Sequence, residues 1–283
     1  MRFLQPETLA EAVASLAEDP DGRKVIAGGA ALVLMMRHGL VAPDALVSLA
    51  RIPSLDSIWL SGDLLHIGSL ALLRDVAASP IVRQHFPALA WACQVVGNVR
   101  IRNQATLGGN LAEADYASDP PAVLLALDAV VNALGPSGER RIPLSDFFQS
   151  FYTTSLAPDE IIQSVSIPLL STDTRMTYLK YKSRSSEDRP CVGVAAVARF
   201  DGEQCADVRI AVGAACEIPV RLPEIETSAV GLSLTDERIA EVAEGYSRSI
   251  QTLDDLRGSA WYRTQMIRVH VRRALEAVRD GRR

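Results

Sequence analysis

Two pairs of adjacent glycines set the main constraint on this chain, because each interrupts apolar sequence where a backbone must turn or approach another backbone closely. One pair lies in Ile101-Arg102-Asn103-Gln104-Ala105-Thr106-Leu107-Gly108-Gly109-Asn110-Leu111-Ala112, the other in Val25-Ile26-Ala27-Gly28-Gly29-Ala30-Ala31-Leu32. Adjacent glycines tolerate positive φ and let N–H groups converge on an anion. Asp119 follows nine residues after Asn110, ahead of Pro120-Pro121 and a long apolar run. Amide donors for phosphate and a carboxylate for sugar hydroxyls are what a bound dinucleotide requires. A single Gly-Gly pair reads as an ordinary turn; only its repetition points toward a ligand.

The flanking segments read as mixed helices and strands. Thr8-Leu9-Ala10-Glu11 has capping-box spacing, and Leu9, Val13 and Leu16 then share one helical face. Lys24-Val25-Ile26-Ala27 reads as a strand running into Gly28, and 31–37 as an apolar helix ending at Gly39. A strand, a glycine turn and a helix make a phosphate cradle, since helix N-termini favour anions. The pattern is not Gly-x-Gly-x-x-Gly, so it gives no support to a Rossmann fold. Further strands are expected at 45–49 and 64–67, and helices at 70–77, 88–96 and 122–127, the last passing into a strand through Leu134. Gly135-Pro136-Ser137-Gly138 signals a turn, with 140–142 returning as a partner strand. A Ser- and Thr-rich shift at 170–175 marks the expected domain boundary. Beyond it, 177–182 and 191–200 read as strands, the second joined through Asp201-Gly202 to 206–214. The polar stretch 183–189 reads as a solvated or a binding loop. The remainder reads as helical, with Ile267, Val271, Ala274, Leu275 and Val278 on one face.

Composition narrows the class. With 283 residues, 48% hydrophobic and 22% charged, the chain reads as a globular protein of about two domains. A net charge of −5 argues against a nucleic-acid surface. No apolar run is long enough to span a bilayer, and Met1-Arg2-Phe3-Leu4-Gln5-Pro6 lacks a signal-peptide core, so the cytoplasm is expected. Cys93, Cys191, Cys205 and Cys216 stand far apart, as do His38, His66, His85 and His270. Neither set has metal-ligand spacing, and buried free thiols are expected. No nucleophile motif is present. Chemistry must therefore come from something the chain binds.

Taken in order, the motifs resemble the FAD-binding medium subunits of molybdenum hydroxylases, the family that includes xanthine dehydrogenase and carbon monoxide dehydrogenase. The resemblance rests on Phe3-Leu4-Gln5-Pro6, Ala27-Gly28-Gly29, Ile101-Arg102-Asn103 and Thr106-Leu107-Gly108-Gly109-Asn110-Leu111-Ala112 with Asp119. It continues through Asp146-Phe147-Phe148, Leu156-Ala157-Pro158-Asp159-Glu160-Ile161-Ile162, Tyr178-Leu179-Lys180, Arg184, Asp188 and Val194-Ala195-Ala196. It ends at Arg257-Gly258-Ser259-Ala260-Trp261-Tyr262-Arg263, and so spans nearly the whole chain.

The resemblance implies an α+β fold. A two-part FAD-binding domain of the PCMH/vanillyl-alcohol-oxidase type would occupy 1–170, split near 55, followed by a smaller α/β C-terminal domain at 171–283. It implies that residues Val25 to Leu32 and Thr106 to Asn110 cradle the FAD pyrophosphate through backbone N–H groups. Asp119 would accept hydrogen bonds from flavin-side hydroxyls, Ile162 would pack against the flavin, and Lys180 would lie near it. Read without the resemblance, Asp119 before two prolines is equally a helix cap, Ile162 a core residue and Lys180 a solvent-facing strand residue.

The implied activity is electron transfer as an oxidoreductase subunit. Reducing equivalents would pass from partner iron–sulfur clusters through FAD to an external acceptor. The implied partners are a large molybdenum-cofactor subunit and a small [2Fe-2S] subunit, assembled as a dimer of heterotrimers, with no nucleic acid and no membrane span. A stand-alone flavin-dependent oxidoreductase and a scaffold that has lost FAD are the alternatives. Two departures bear on them. Ala30-Ala31 stands where the family commonly has a hydrogen-bonding side chain, leaving backbone donors alone. Asp115-Tyr116-Ala117 replaces the family's Asp-Pro-Ala, so that Tyr116 either covers the cofactor or closes an interface.

Overall fold

The computed structural model describes residues 1–183, 185 and 188–282; Arg184 of the family motif, and part of the 183–189 loop, lie outside them. The N-terminal sheet is parallel, with Ala45–Ser48 between Arg2–Leu4 and Arg23–Ile26. Its central strand is buried throughout, as an apolar strand in a parallel sheet must be. Helix Leu9–Ala17 covers it, burying Ala12, Val13 and Leu16. Thr8 caps this helix by accepting from the Glu11 N–H, while the Glu11 carboxylate reaches back to the Glu7 N–H at 2.9 Å. The strand expected at 24–27 runs Arg23–Ile26 instead, because its ladder ends where Ile26 pairs with Ser48. Ala27 is thereby left in the loop.

A five-stranded antiparallel sheet follows, in the order Ile58–Ser61, Leu64–Gly68, Ile161–Pro168, Val130–Gly135, Gly138–Pro143. Leu65, Ile67, Val131, Ala133, Val165 and Ile167 point from it into the largest core. Helices Leu73–Ala78, Pro80–His85, Pro87–Gln94 and Pro120–Ala126 supply the other side of that core. Two of these elements escape the sequence reading. Strand Ile58–Ser61 exposes Trp59 and Leu60, so its apolar residues do not alternate with polar ones. Helix Pro80–His85 is short, but it carries Ser79 as its cap and proline in its first turn. The helix expected from 70 begins only at Leu73, because Leu72 is extended and bridges to Thr106.

The C-terminal part is an antiparallel sheet, Thr174–Tyr181, Val192–Asp201, Gln204–Gly213 and Val220–Arg221, with Leu232–Ser233 joined to the third strand. The two short strands and helix Pro223–Thr227 lie in the stretch expected to be wholly helical. Val194, Ala196 and Ala198 face helices Asp236–Ser249 and Ala260–Arg279. Ala195, Val197, Ala211 and Tyr178 face the opposite way, into the core built by the preceding part. This strand is apolar because both of its faces are covered. Small residues set how closely the parts approach: a Cβ on Gly213 would lie 3.2 Å from that of Ala122. The Ile267, Val271, Ala274, Leu275 and Val278 face is buried as expected. All four cysteines are buried and free, and the described residues hold no cluster of metal-ligating side chains. Among them no helix is long and apolar enough to cross a membrane.

Gly193 lies under the Tyr178 ring, where a Cβ would overlap the phenol oxygen and sit 3.3 Å from two ring carbons. Gly193→Ala should therefore destabilise the chain by about 1–3 kcal/mol, the usual cost of overpacking. Urea denaturation checks this; an unchanged midpoint would mean that the ring moves without penalty.

Candidate functional site

The first glycine loop links strand Arg23–Ile26 to helix Leu32–Arg37. Gly29 has φ +71°, a conformation that favours glycine. Ala31 occupies the cap position but has no side-chain oxygen with which to cap. Among the described residues, the amide N–H groups of Gly28, Gly29, Ala30, Ala31 and Leu32 meet no protein acceptor. The opening N–H groups of a helix need partners from outside it, and here the described residues supply none. A row of free donors beside a helix start suits an anion.

The second glycine stretch differs from its sequence reading. It is a helix, Leu107–Glu113, capped by the Thr106 hydroxyl, which accepts from the Gly109 N–H at 3.0 Å. Neither Gly108 nor Gly109 has positive φ. The amides expected to be free are engaged: Leu107 donates to the Ala71 carbonyl at 2.9 Å, Gly108 to Ser69 at 3.0 Å and Asn110 to Thr106 at 2.9 Å. Glycine is required here for room, since a Cβ on Gly108 would lie 2.8 Å from the Ser69 carbonyl oxygen. What remains for a ligand is polar side-chain capacity. Thr106 keeps its hydroxyl proton, and Asn110 accepts from the Ser118 hydroxyl at 2.9 Å while its NH₂ meets no acceptor among the described residues.

The two stretches touch. A Cβ on Gly28 would overlap the Gln104 carbonyl oxygen and lie 2.7 Å from its carbon, and one on Gly109 would come within 3.9 Å of the Ala27 Cβ. Beside this junction lies a cleft of about 540 Å³, lined by Ala27, Gly28 and Thr106 together with Arg51, Ser54 and Arg74. Strand Ile161–Pro168 passes alongside. Its register shifts between Ile162 and Ser164, and the Gln163 carbonyl accepts from the Ser69 N–H at 3.0 Å. Ile162 itself is 5% exposed and belongs to the main core.

Asp119 and Lys180 come together. Asp119 stands at the N-cap position of helix Pro120–Ala126, but its side chain does not cap it: the carboxylate accepts from the Tyr178 hydroxyl at 2.7 Å and from the Lys180 ammonium at 2.9 Å. Lys180 also donates to the Val95 carbonyl at 2.8 Å and is buried, not solvent-facing. Burial pushes the Asp119 carboxyl upward, with Lys180 and Tyr178 pulling against it. Burial, then the neighbouring Asp119, raise the Tyr178 hydroxyl. Sequence reasoning missed Tyr178, although a strand places residues two apart on one side and so aligns it with Lys180.

Residues 1–170 match the family model described as the FAD binding domain in molybdopterin dehydrogenase, and 177–278 match the CO dehydrogenase flavoprotein C-terminal domain. The chain belongs to the FAD-binding medium subunits of the molybdenum hydroxylase family. It is 35% identical to the nicotine 6-hydroxylase medium subunit of Paenarthrobacter nicotinovorans, over 97% of this chain and 96% of that one. It is 30% identical to the glyceraldehyde dehydrogenase medium chain of Sulfolobus acidocaldarius, over 98% and 97%. Among solved structures it is similar to carbon monoxide dehydrogenase from Hydrogenophaga pseudoflava, with TM-score 0.95, 32% identity and coverage of 98% and 96%. Homologues of this kind are subunits of oxidoreductases, and so the medium subunit is an oxidoreductase flavoprotein component.

In this medium subunit Tyr116 closes an interface. Its hydroxyl donates to Asp255 at 2.8 Å and accepts from Arg257 at 2.9 Å, while Arg263, fully buried, donates to the other Asp255 oxygen. Burial opposes ionisation of Asp255, but the Arg257 amide, the Tyr116 hydroxyl and Arg263 outweigh it and take the carboxyl from 3.8 down to about 2. A depressed acid stabilises the fold while ionised, so this contribution is complete above pH 3.8 and lost as pH falls through about 2. Acid titration of wild type against Asp255→Asn should show the wild-type advantage shrinking across that window; a constant difference would rule the linkage out. A second variant tests the junction. Gly28→Ala must separate two backbones, so it should cost about 2 kcal/mol or more and weaken cofactor retention. Thermal melting and flavin content check it together.

Proposed function

We propose that this medium subunit holds the FAD diphosphate over the amides of Gly28, Gly29, Ala30, Ala31 and Leu32, and thereby links partner redox centres to an external electron acceptor. The observation that carries this reading is the row of five N–H groups without a protein acceptor, set against the second glycine stretch. The residues fit the group. Main-chain donors replace the side chain that Ala30-Ala31 lacks, and Gly28 and Gly109 leave the space that a Cβ would fill. Val25, Ile26 and Ala27 form the approach to the loop. Leu107, Gly108 and Gly109 bring the second backbone close, and the Thr106 hydroxyl and Asn110 amide add donors. Asp119 has lone pairs beyond those used by Tyr178 and Lys180, so it can still accept from cofactor hydroxyls. Ile162 supplies an apolar contact and Lys180 a nearby positive charge.

When bound, FAD supplies the one- and two-electron chemistry that lets [2Fe-2S] clusters in a small partner communicate with the acceptor. The chain's residues bind and orient; none is assigned an acid–base role on substrate. The relatives' names point to nicotine, glyceraldehyde and carbon monoxide, although those medium chains are similar to this one along nearly their whole length. Substrate choice therefore belongs to the large molybdenum subunit. Two copies each of large, medium and small subunits, in the cytoplasm, form the proposed assembly. The domains are assigned as 1–170, split near 55, and 171–283.

Two experiments test this. The purified chain should take up FAD to near one equivalent by equilibrium dialysis. Thr106→Val should then raise the dissociation constant roughly ten-fold, about 1.4 kcal/mol, with Thr106→Ser near wild type. Absence of flavin uptake by wild type would return the scaffold reading. The loaded chain should also pass electrons from an artificial reductant to a dye, yet leave the organic substrate of the complex untouched. Turnover of that substrate by the chain alone would instead make it a stand-alone flavoenzyme.

A further inference from the structure

Helix Leu107–Glu113 stops at Ala114, which takes the left-handed conformation with φ +49°. The chain then runs through residues 115–119 before helix Pro120–Ala126 begins. This short segment is fastened chiefly from the C-terminal side. The Asp115 carboxylate pairs with Arg189 at 3.0 Å. The Tyr116 carbonyl accepts from the Ala214 N–H at 3.1 Å, and its hydroxyl is held by Asp255 and Arg257. Asp119 is held by Tyr178 and Lys180. Toward the glycine helix the link is Ser118, which donates to Asn110 at 2.9 Å.

Tyr116 is held through its carbonyl, its hydroxyl and its ring. Its ring meets Phe151 edge-on, with centroids 5.2 Å apart, and the Arg257 guanidinium lies 5.8 Å from its centre. Ala214 is left-handed at φ +64°, which persists for a non-glycine residue only where the surroundings over-determine it. Its N–H goes to Tyr116 and its carbonyl accepts from buried Arg263, which also donates to Asp255. One backbone residue thus ties Tyr116 and the Arg263–Asp255 pair into a closed bracket.

We propose that Tyr116 is a positioning residue, through which the C-terminal sheet and last helix hold residues 115–119, and with them Asn110 and Asp119, in the geometry that receives the cofactor. The inference rests on the FAD reading given above and adds to it a coupling between docking of the C-terminal domain and cofactor affinity. A segment ordered before binding has less conformational freedom to lose on binding. Releasing the Tyr116 anchor should therefore weaken binding without removing any group that touches the cofactor.

The test uses the full chain. Tyr116→Phe keeps the packed ring and deletes one hydroxyl; it should raise the FAD dissociation constant about five- to ten-fold, the effect of one ordinary hydrogen bond. Amide exchange of residues 110–119 in the FAD-free chain should quicken in the same variant, a change that loss of general stability would spread over the whole core. Asp255→Asn should move both readouts in the same direction. Unchanged affinity in Tyr116→Phe and Asp255→Asn, with wild type binding FAD normally, would overturn the coupling while leaving the FAD reading intact. Weakened affinity with unaltered exchange at 110–119 would equally overturn it, because the hydroxyl would then act by some route other than positioning. If wild type takes up no FAD, the underlying reading itself falls.

Discussion

The approach of Gly28 to the Gln104 carbonyl is the contact on which the site depends. It brings a loop at the end of a parallel sheet against the turn that leads into helix Leu107–Glu113, with no side chain between them. Ala27 and Thr106 then line one cleft, and the free amides of the first loop lie beside the Thr106 hydroxyl's helix. Any side chain at 28 would force these backbones apart, because the obstacle is main chain and cannot rotate away. The division of labour between the two glycine pairs follows from their surroundings. Gly108 answers to Ser69 and to its own helix, and its partners are spent there. The N–H groups of Gly28 and Gly29 meet no acceptor among the described residues, which leaves their donors available.

The C-terminal part has a corresponding role. Its central strand is covered on both faces, by helices on one side and by the core of the preceding part on the other. Tyr178 leaves that strand's neighbour to reach Asp119, and Lys180 follows it two residues on. A buried ion pair of this kind contributes little net stability compared with apolar packing, but breaking one partner is costly. Removing either partner here would leave the other charge buried without its counter-ion.

Much of this was legible in the residues. Alternation and capping found the first helix, two of the three strands of the N-terminal sheet, the hairpin through Asp201-Gly202 and the apolar face of the last helix. The ordered motifs pointed to the family. Three things were hidden, for physical reasons. Thr106-Leu107-Gly108-Gly109 looks like a loop because glycine is a poor helix former, yet the Thr106 cap and close packing on Ser69 override propensity. Strand Ile58–Ser61 sits at a sheet edge with Trp59 and Leu60 outward, so the pattern that marks a half-buried strand is absent. The fates of Asp119, Tyr116 and Lys180 depend on partners 59 to 141 positions distant, Tyr178 to Asp119 and Arg257 to Tyr116 being the extremes. No local pattern encodes such pairings. Ile162 shows the converse, since its burial was the bland expectation and is what the fold contains.

Because the loop at 28–32 offers main-chain N–H groups, the identity of its side chains matters little to what it can donate. Ala30 and Ala31 can drift to other small residues without changing the donor set, so selection there acts on backbone shape and not on functional groups. Proline is the exception, since it alone deletes the donor itself. A comparison of many such chains would then show positions 30 and 31 variable in letters beside a fixed Gly28 and Gly29, with the trace invariant throughout.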